Sequence, residues 1–211
     1  VTIGDLLVLG DPPAQLLKPL AVIASHLHPA LDEQVVPGKS KESCVLASLT
    51  VRDFLWRAGF KDAQVRTVYL MVDAHDADGQ PLHSLGVGDH TKVPTIGGKP
   101  GDTAERWSGH MVVVLPRIGL LIDPTLYQTQ REVWGGAVPG MVTVPLSRGG
   151  QLWHGMKTLA GMVWESKQRT VRAVWFGQEN ERWRHAPDAH RARRAPAVQR
   201  LHLCLRHAKS P

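Results

Sequence analysis

Apolar positions first recur at helical spacing near the start of the chain, where Leu16, Leu17, Leu20, Ile23, Ala24 and Leu27 follow Asp11-Pro12-Pro13. That opening suits a helix start, an acidic N-cap followed by proline where no N–H is needed. Pro19 is expected to kink this helix or mark a second start, and Pro29 with Pro37-Gly38 to end the region in a loop. A better-defined helix is predicted over residues 43–59. Ser43 is its expected cap, Val45, Leu46, Leu49, Phe54 and Leu55 its apolar face, and Gly59 its close.

The period then changes. Residues 65–72 are rich in β-branched and aromatic side chains and read as a strand. Residues 73–109 carry many glycines and prolines with little periodicity, so a long loop with one short element is expected there. Residues 110–115 (His-Met-Val-Val-Val-Leu) predict a buried strand. A turn at 116–119 and a second strand at 120–123 follow, antiparallel because the connection is short. Residues 141–146 and 170–176 predict two more strands, and Trp153, Met156, Leu159 and Val163 between them suit a helical face.

Candidate chemistry falls on these elements. Cys44 occupies the first turn of its predicted helix, where the positive end of the dipole favours a thiolate and the free amide can donate to an oxyanion. His110 opens one strand and Asp123, thirteen residues later, ends the next, before Pro124-Thr125. Two short antiparallel strands return the chain beside its start. Asp123 then reaches one imidazole nitrogen while the other faces the thiol. The bland alternative makes Cys44 and His110 core residues and Asp123 a turn-former before Pro124. Asn180 is the only asparagine and sits near the end of the last predicted strand, so the third member is expected to be acidic.

These residues resemble a family. The stretch Ser43-Cys44-Val45-Leu46-Ala47-Ser48-Leu49 and its continuation Phe54-Leu55-Trp56-Arg57-Ala58-Gly59-Phe60 are similar to the cysteine helix of transglutaminase-like cysteine enzymes. Val65-Arg66-Thr67-Val68 looks like the strand that follows that helix. Gly109-His110-Met111-Val112-Val113-Val114 and Leu121-Ile122-Asp123-Pro124-Thr125 look like the family's His strand and Asp-Pro-Thr strand. The resemblance covers residues 40–126. It implies an α+β, papain-like (transglutaminase-like) core, in which the helix carrying Cys44 packs on an antiparallel sheet carrying His110 and Asp123. It also implies Cys44, His110 and Asp123 as the catalytic triad. The chain departs from the pattern at Met111, where the family has an aromatic residue, in the short His-to-Asp interval, and in the long 73–109 stretch.

The function expected from this is cysteine-dependent acyl transfer through a thioester, with hydrolysis of an amide or peptide bond as the first reading. An acyltransferase or transglutaminase on the same triad, and an inactive binding or structural module of the same fold, are the alternatives. Expected substrates are peptides or amides, proteins among them, with no cofactor, no metal and no membrane partner. Gln34, ten residues before Cys44, is a second oxyanion-donor candidate, though a loop glutamine without a role is the better account.

Composition refines the picture. With 211 residues, 43% hydrophobic and 21% charged, the chain can bury a real core. No apolar run is long enough to span a membrane, and the N-terminal residues lack the marks of a signal peptide. The default compartment is cytoplasmic, with a signal removed ahead of Val1 as the alternative. Residues 181–211 hold eight Lys/Arg against two acids, a surplus equal to the whole formal charge of +6. The organisation expected is therefore one enzyme domain over 1–180 and a basic, flexible tail over 181–211. Nucleic acid would be met only through that tail. His26, His28, His75, Asp76, His83 and His90 offer scattered metal-type ligands without a metal-site spacing, and read as solvated or capping residues. Gly97-Gly98-Lys99-Pro100-Gly101 lacks the ending of a phosphate loop.

Overall fold

The computed structural model describes residues 2–35, 37–88, 109–132, 138–149, 152–166 and 169–208. It is an α+β arrangement in which three helices cover one face of a ten-stranded mixed, mostly antiparallel sheet. In chain order the elements are β1 (Thr2–Ile3), β2 (Leu6–Val8), α1 (Ala14–Asp32), α2 (Cys44–Arg57), β3 (Gln64–His75), β4 (Pro81–Val87), β5 (His110–Leu115) and β6 (Leu120–Asp123). Then come β7 (Met141–Pro145), β8 (Leu152–Trp153), β9 (Met156–Ser166), β10 (Arg169–Gln178) and α3 (Arg191–His207).

The strands lie in the order β1-β2-β7-β6-β5-β3-β10-β9-β8, with β4 also paired to β3. Among the described strands only β2 and β7 run parallel. β5 pairs with residues 64–68 of β3, and β4 follows it along the same edge, over residues 70–75. The opposite edge of β3 takes β10.

The continuous burial of β5 and β6 follows from packing on both faces. Val113, Leu115, Leu120 and Ile122 point to the helices and join Leu20, Leu27, Phe54 and Leu201. Val112, Val114 and Leu121 point the other way, to Val72, Val142, Met162 and Trp175. That second face is closed by the sheet's own curl: Leu146 bridges Ala160, bringing the end of β7 against β9.

Several expectations are corrected. α1 runs through both Pro19 and Pro29. Each proline costs about 3 kcal/mol, but five fully buried residues, Leu16, Leu20, Ile23, Leu27 and Leu31, contribute about 1.5–3 kcal/mol each. Neither the Asp11 nor the Ser43 side chain caps a helix; Ser43 instead donates to Lys39 O at 3.1 Å.

Residues 152–166 are strands, not a helix. The helical spacing of Trp153, Met156, Leu159 and Val163 is coincidental, since Val163 is 60% exposed while Met156, Ala160 and Met162 are buried at strand parity. The turn between β8 and β9 is His154-Gly155, both at positive φ, as a two-residue hairpin of this hand requires.

The basic C-terminal segment carries core residues rather than trailing as a tail. α3 packs on α1 and α2 and buries Ala197, Val198 and Leu201. Arg194, buried, reaches Asp53 of α2 at 2.7 Å. The expectation weighed charge and missed an apolar stripe three residues wide at helical spacing. At the start of the 73–109 stretch, where a long loop was expected, β3 runs on to His75 and pairs with the seven-residue β4. Residues 89–108, which include His90 and Gly97-Gly98-Lys99-Pro100-Gly101, lie outside the described residues.

Candidate active site

Register explains how the site is assembled. On β5 and β6, Val113 faces Ile122 and Val114 faces Leu121, so Asp123 lies opposite residue 112. His110 is the diagonal neighbour on the same face, within reach of a long side chain. Its Nε2 meets Asp123 Oδ2 at 2.8 Å, both residues fully buried. An ionised carboxylate only accepts, so Nε2 carries the proton and Nδ1 is the free position. Nδ1 is buried with no hydrogen-bond partner among the described residues.

Cys44 is the first residue of α2 and comes up to the imidazole from the helix side. Its Sγ lies 3.7 Å from Gly109 O, one residue before the histidine. One helical turn on, Ser48 Oγ donates to Met111 O at 2.8 Å. Four residues of helix rise about 6 Å and two of strand about 6.6 Å. α2 and β5 therefore run alongside each other with matched rise, and the two contacts fix the thiol against the strand carrying the imidazole. The helix ladder starts with Ala47 N–H donating to Ser43 O at 2.9 Å. The amides of Cys44, Val45 and Leu46 thus have no intrahelical acceptor.

Burial alone would pull the His110 ring down. The charge and hydrogen bond of Asp123, with a smaller contribution from Cys44, outweigh it and push the ring up to about 10. At neutral pH the His110 ring is therefore held in its charged form.

Three donors hold Asp123. Besides His110, Trp175 Nε1 donates to Oδ2 at 2.9 Å and Thr125 N–H to Oδ1 at 3.0 Å. Trp175 is fully buried on β10. Its strand parity with Val171 and Ala173 places it inside the curl.

His28 is a second residue that sequence reasoning missed. It is buried rather than solvated: Nε2 donates to Pro124 O at 2.9 Å and Nδ1 lies 3.0 Å from Ser40 Oγ. It thereby ties the segment before Cys44 to the residue after Asp123. Burial, the largest effect, holds its ring below the usual histidine value, with the Lys41 charge adding to this and the Pro124 hydrogen bond opposing it. Behind this turn Gly140 abuts Tyr127, where an added Cβ would fall 2.1 Å from the ring.

Cys44 is only 6% exposed and sits with Val45, Leu49, Met111 and Trp183 in an apolar cluster. Gln34 lies just past α1, its N–H on Leu31 O. His26 is exposed, and no group of three or more His, Cys, Asp or Glu among the described residues is placed to hold a metal ion. No helix among them is long and apolar enough to cross a membrane. Compared with known proteins, the chain matches no family model, no curated protein and no solved structure.

Proposed function

We propose that this protein is a cysteine-dependent acyl-transfer enzyme of the transglutaminase-like, papain-like kind, hydrolysing an amide or peptide bond. The observation that carries the reading is the His110 ring. One nitrogen is held by a buried, triply hydrogen-bonded carboxylate, and the other is unpartnered beside the thiol at a helix start. His28, the other buried histidine, has both ring nitrogens partnered.

In this reading Cys44 attacks the carbonyl as a thiolate and His110 Nδ1 carries the proton. The oxyanion is met by the free amide of Cys44, and His110 then protonates the leaving amine. The resulting thioester is cleaved by water, which His110 deprotonates in turn. Asp123 holds the ring in the tautomer this requires and stabilises its charge. Substrates would be peptides or amides, proteins among them.

Transfer to an amine in place of water is the second reading, favoured by the apolar surroundings of Cys44, which disfavour water at the thioester.

The test is covalent labelling by iodoacetamide as a function of pH, read at Cys44 by mass spectrometry. Wild type is expected to label at pH 6 at least tenfold faster than His110→Ala. Equal rates in the two proteins would remove the ion pair and the enzymatic reading with it. Incubation with peptide mixtures and an amine then separates hydrolysis from transfer.

A further inference from the structure

The other end of α2 carries a different kind of site. Arg52, Arg57, Lys61, Arg191 and Arg194 line a pocket of about 410 Å³ between α2 and α3, and Asp53 is the one acid among the lining residues. That carboxylate is already used: Oδ1 takes Arg52 Nε and Nη2 at 2.8 and 2.6 Å, and Oδ2 takes Arg194 Nε at 2.7 Å. Arg57, Lys61 and Arg191 are exposed and have no ion pair among the described residues. The volume lies within the range of small-ligand pockets, about 300–1,000 Å³.

Local structure sharpens the charge. α3 holds five arginines and no acid, and Arg191, Arg193 and Arg194 stand in its first turn. Cations there oppose the helix dipole. Of these three, among the described residues, only Arg193 and Arg194 are answered by carboxylates, Asp188 and Asp53. A bound anion would relieve this repulsion.

Trp56 adds a second, independent feature. It lines the same pocket at 39% exposure, its indole N–H fixed on Ala63 O at 2.8 Å and the Arg52 guanidinium 4.7 Å from the ring centroid. An oriented, exposed indole among cations is a stacking surface for a flat ring that carries negative charge nearby.

We propose that the α2–α3 groove binds a nucleotide, with Arg57, Lys61 and Arg191 on the phosphoryl oxygens and Trp56 against the base. It lies about 20 Å from Cys44 along the helix and does not depend on the thiol chemistry. A free nucleotide and a single strand of nucleic acid present the same group, and the experiment separates them.

Calorimetric titration of the full chain uses ATP, pyrophosphate and a ten-nucleotide oligothymidylate, at about 50 and about 200 mM salt. Wild type is expected to bind ATP or the oligonucleotide saturably, at least tenfold more tightly than pyrophosphate, and more weakly at the higher salt. An oligonucleotide at least tenfold tighter than ATP identifies a strand; the reverse order identifies a free nucleotide. Arg57→Glu/Lys61→Glu/Arg191→Glu is expected to lose at least tenfold in affinity for each probe. These side chains are exposed and Arg191→Glu suits the helix dipole, so the variant should fold, which circular dichroism checks. Trp56→Ala is expected to abolish the preference over pyrophosphate while leaving pyrophosphate binding in place. No saturable binding of any probe, unchanged binding by the charge-reversal variant, or a preference that survives Trp56→Ala would each overturn the proposal.

Discussion

Trp175 and His110 share one oxygen: both donate to Asp123 Oδ2, at 2.9 and 2.8 Å, one from β10 and the other from β5. The carboxylate is therefore aimed by β10 as much as by its own strand.

Trp175→Phe keeps an aromatic but smaller ring and removes that donor. Loss of a buried hydrogen bond to a charged group costs about 1.5–3 kcal/mol. The expected result is a lower Tm and slower Cys44 alkylation at pH 6, with unchanged far-ultraviolet circular dichroism. A variant that melts and labels like wild type would show that Asp123 does not need the indole.

The two buried histidines set opposite limits on pH. His110 is raised from 6.5 to about 10, so the stability it contributes is full below pH 6.5 and lost as pH climbs toward 10. His28 is lowered, so its contribution is present above pH 6.5 and lost as pH falls through its folded value. Wild-type Tm is expected to peak near neutrality. His110→Gln should flatten the alkaline limb, and His28→Gln the acid one. Identical profiles in all three proteins would refute the assignment.

Ser48 holds α2 to β5. Ser48→Ala leaves the Met111 carbonyl without this donor, at a cost of about 1–3 kcal/mol. If the contact also positions the thiol, alkylation at pH 6 slows beyond what the fall in Tm accounts for. A drop in Tm with normal labelling would confine Ser48 to stability.

Leu201, fully buried between the helices, tests the placement of the basic segment. Leu201→Ala is expected to cost about 2–5 kcal/mol, and truncation after Trp183 to unfold the helical layer. A truncated chain with wild-type Tm would restore a dispensable tail.

Legibility followed the range of the interactions. The β5–β6 hairpin could be read because its turn is four residues and its register places His110 and Asp123 together from local geometry alone. Cys44 was legible through its position at a helix start. Trp175 and His28 reach Asp123 and Pro124 from 52 and 96 residues away, and no local pattern encodes such a meeting. β9 was misread because Trp153, Met156, Leu159 and Val163 at helical spacing outweighed the alternation that buries Met156, Ala160 and Met162. α3 was missed because arginines masked its short apolar stripe.

The helical layer joins the third, fourth and last of the named elements, since α3 comes after every described strand. During synthesis the flanks of α1 and α2 that meet α3 stay uncovered until the described strands have left the ribosome. Such late, long-range closure slows folding.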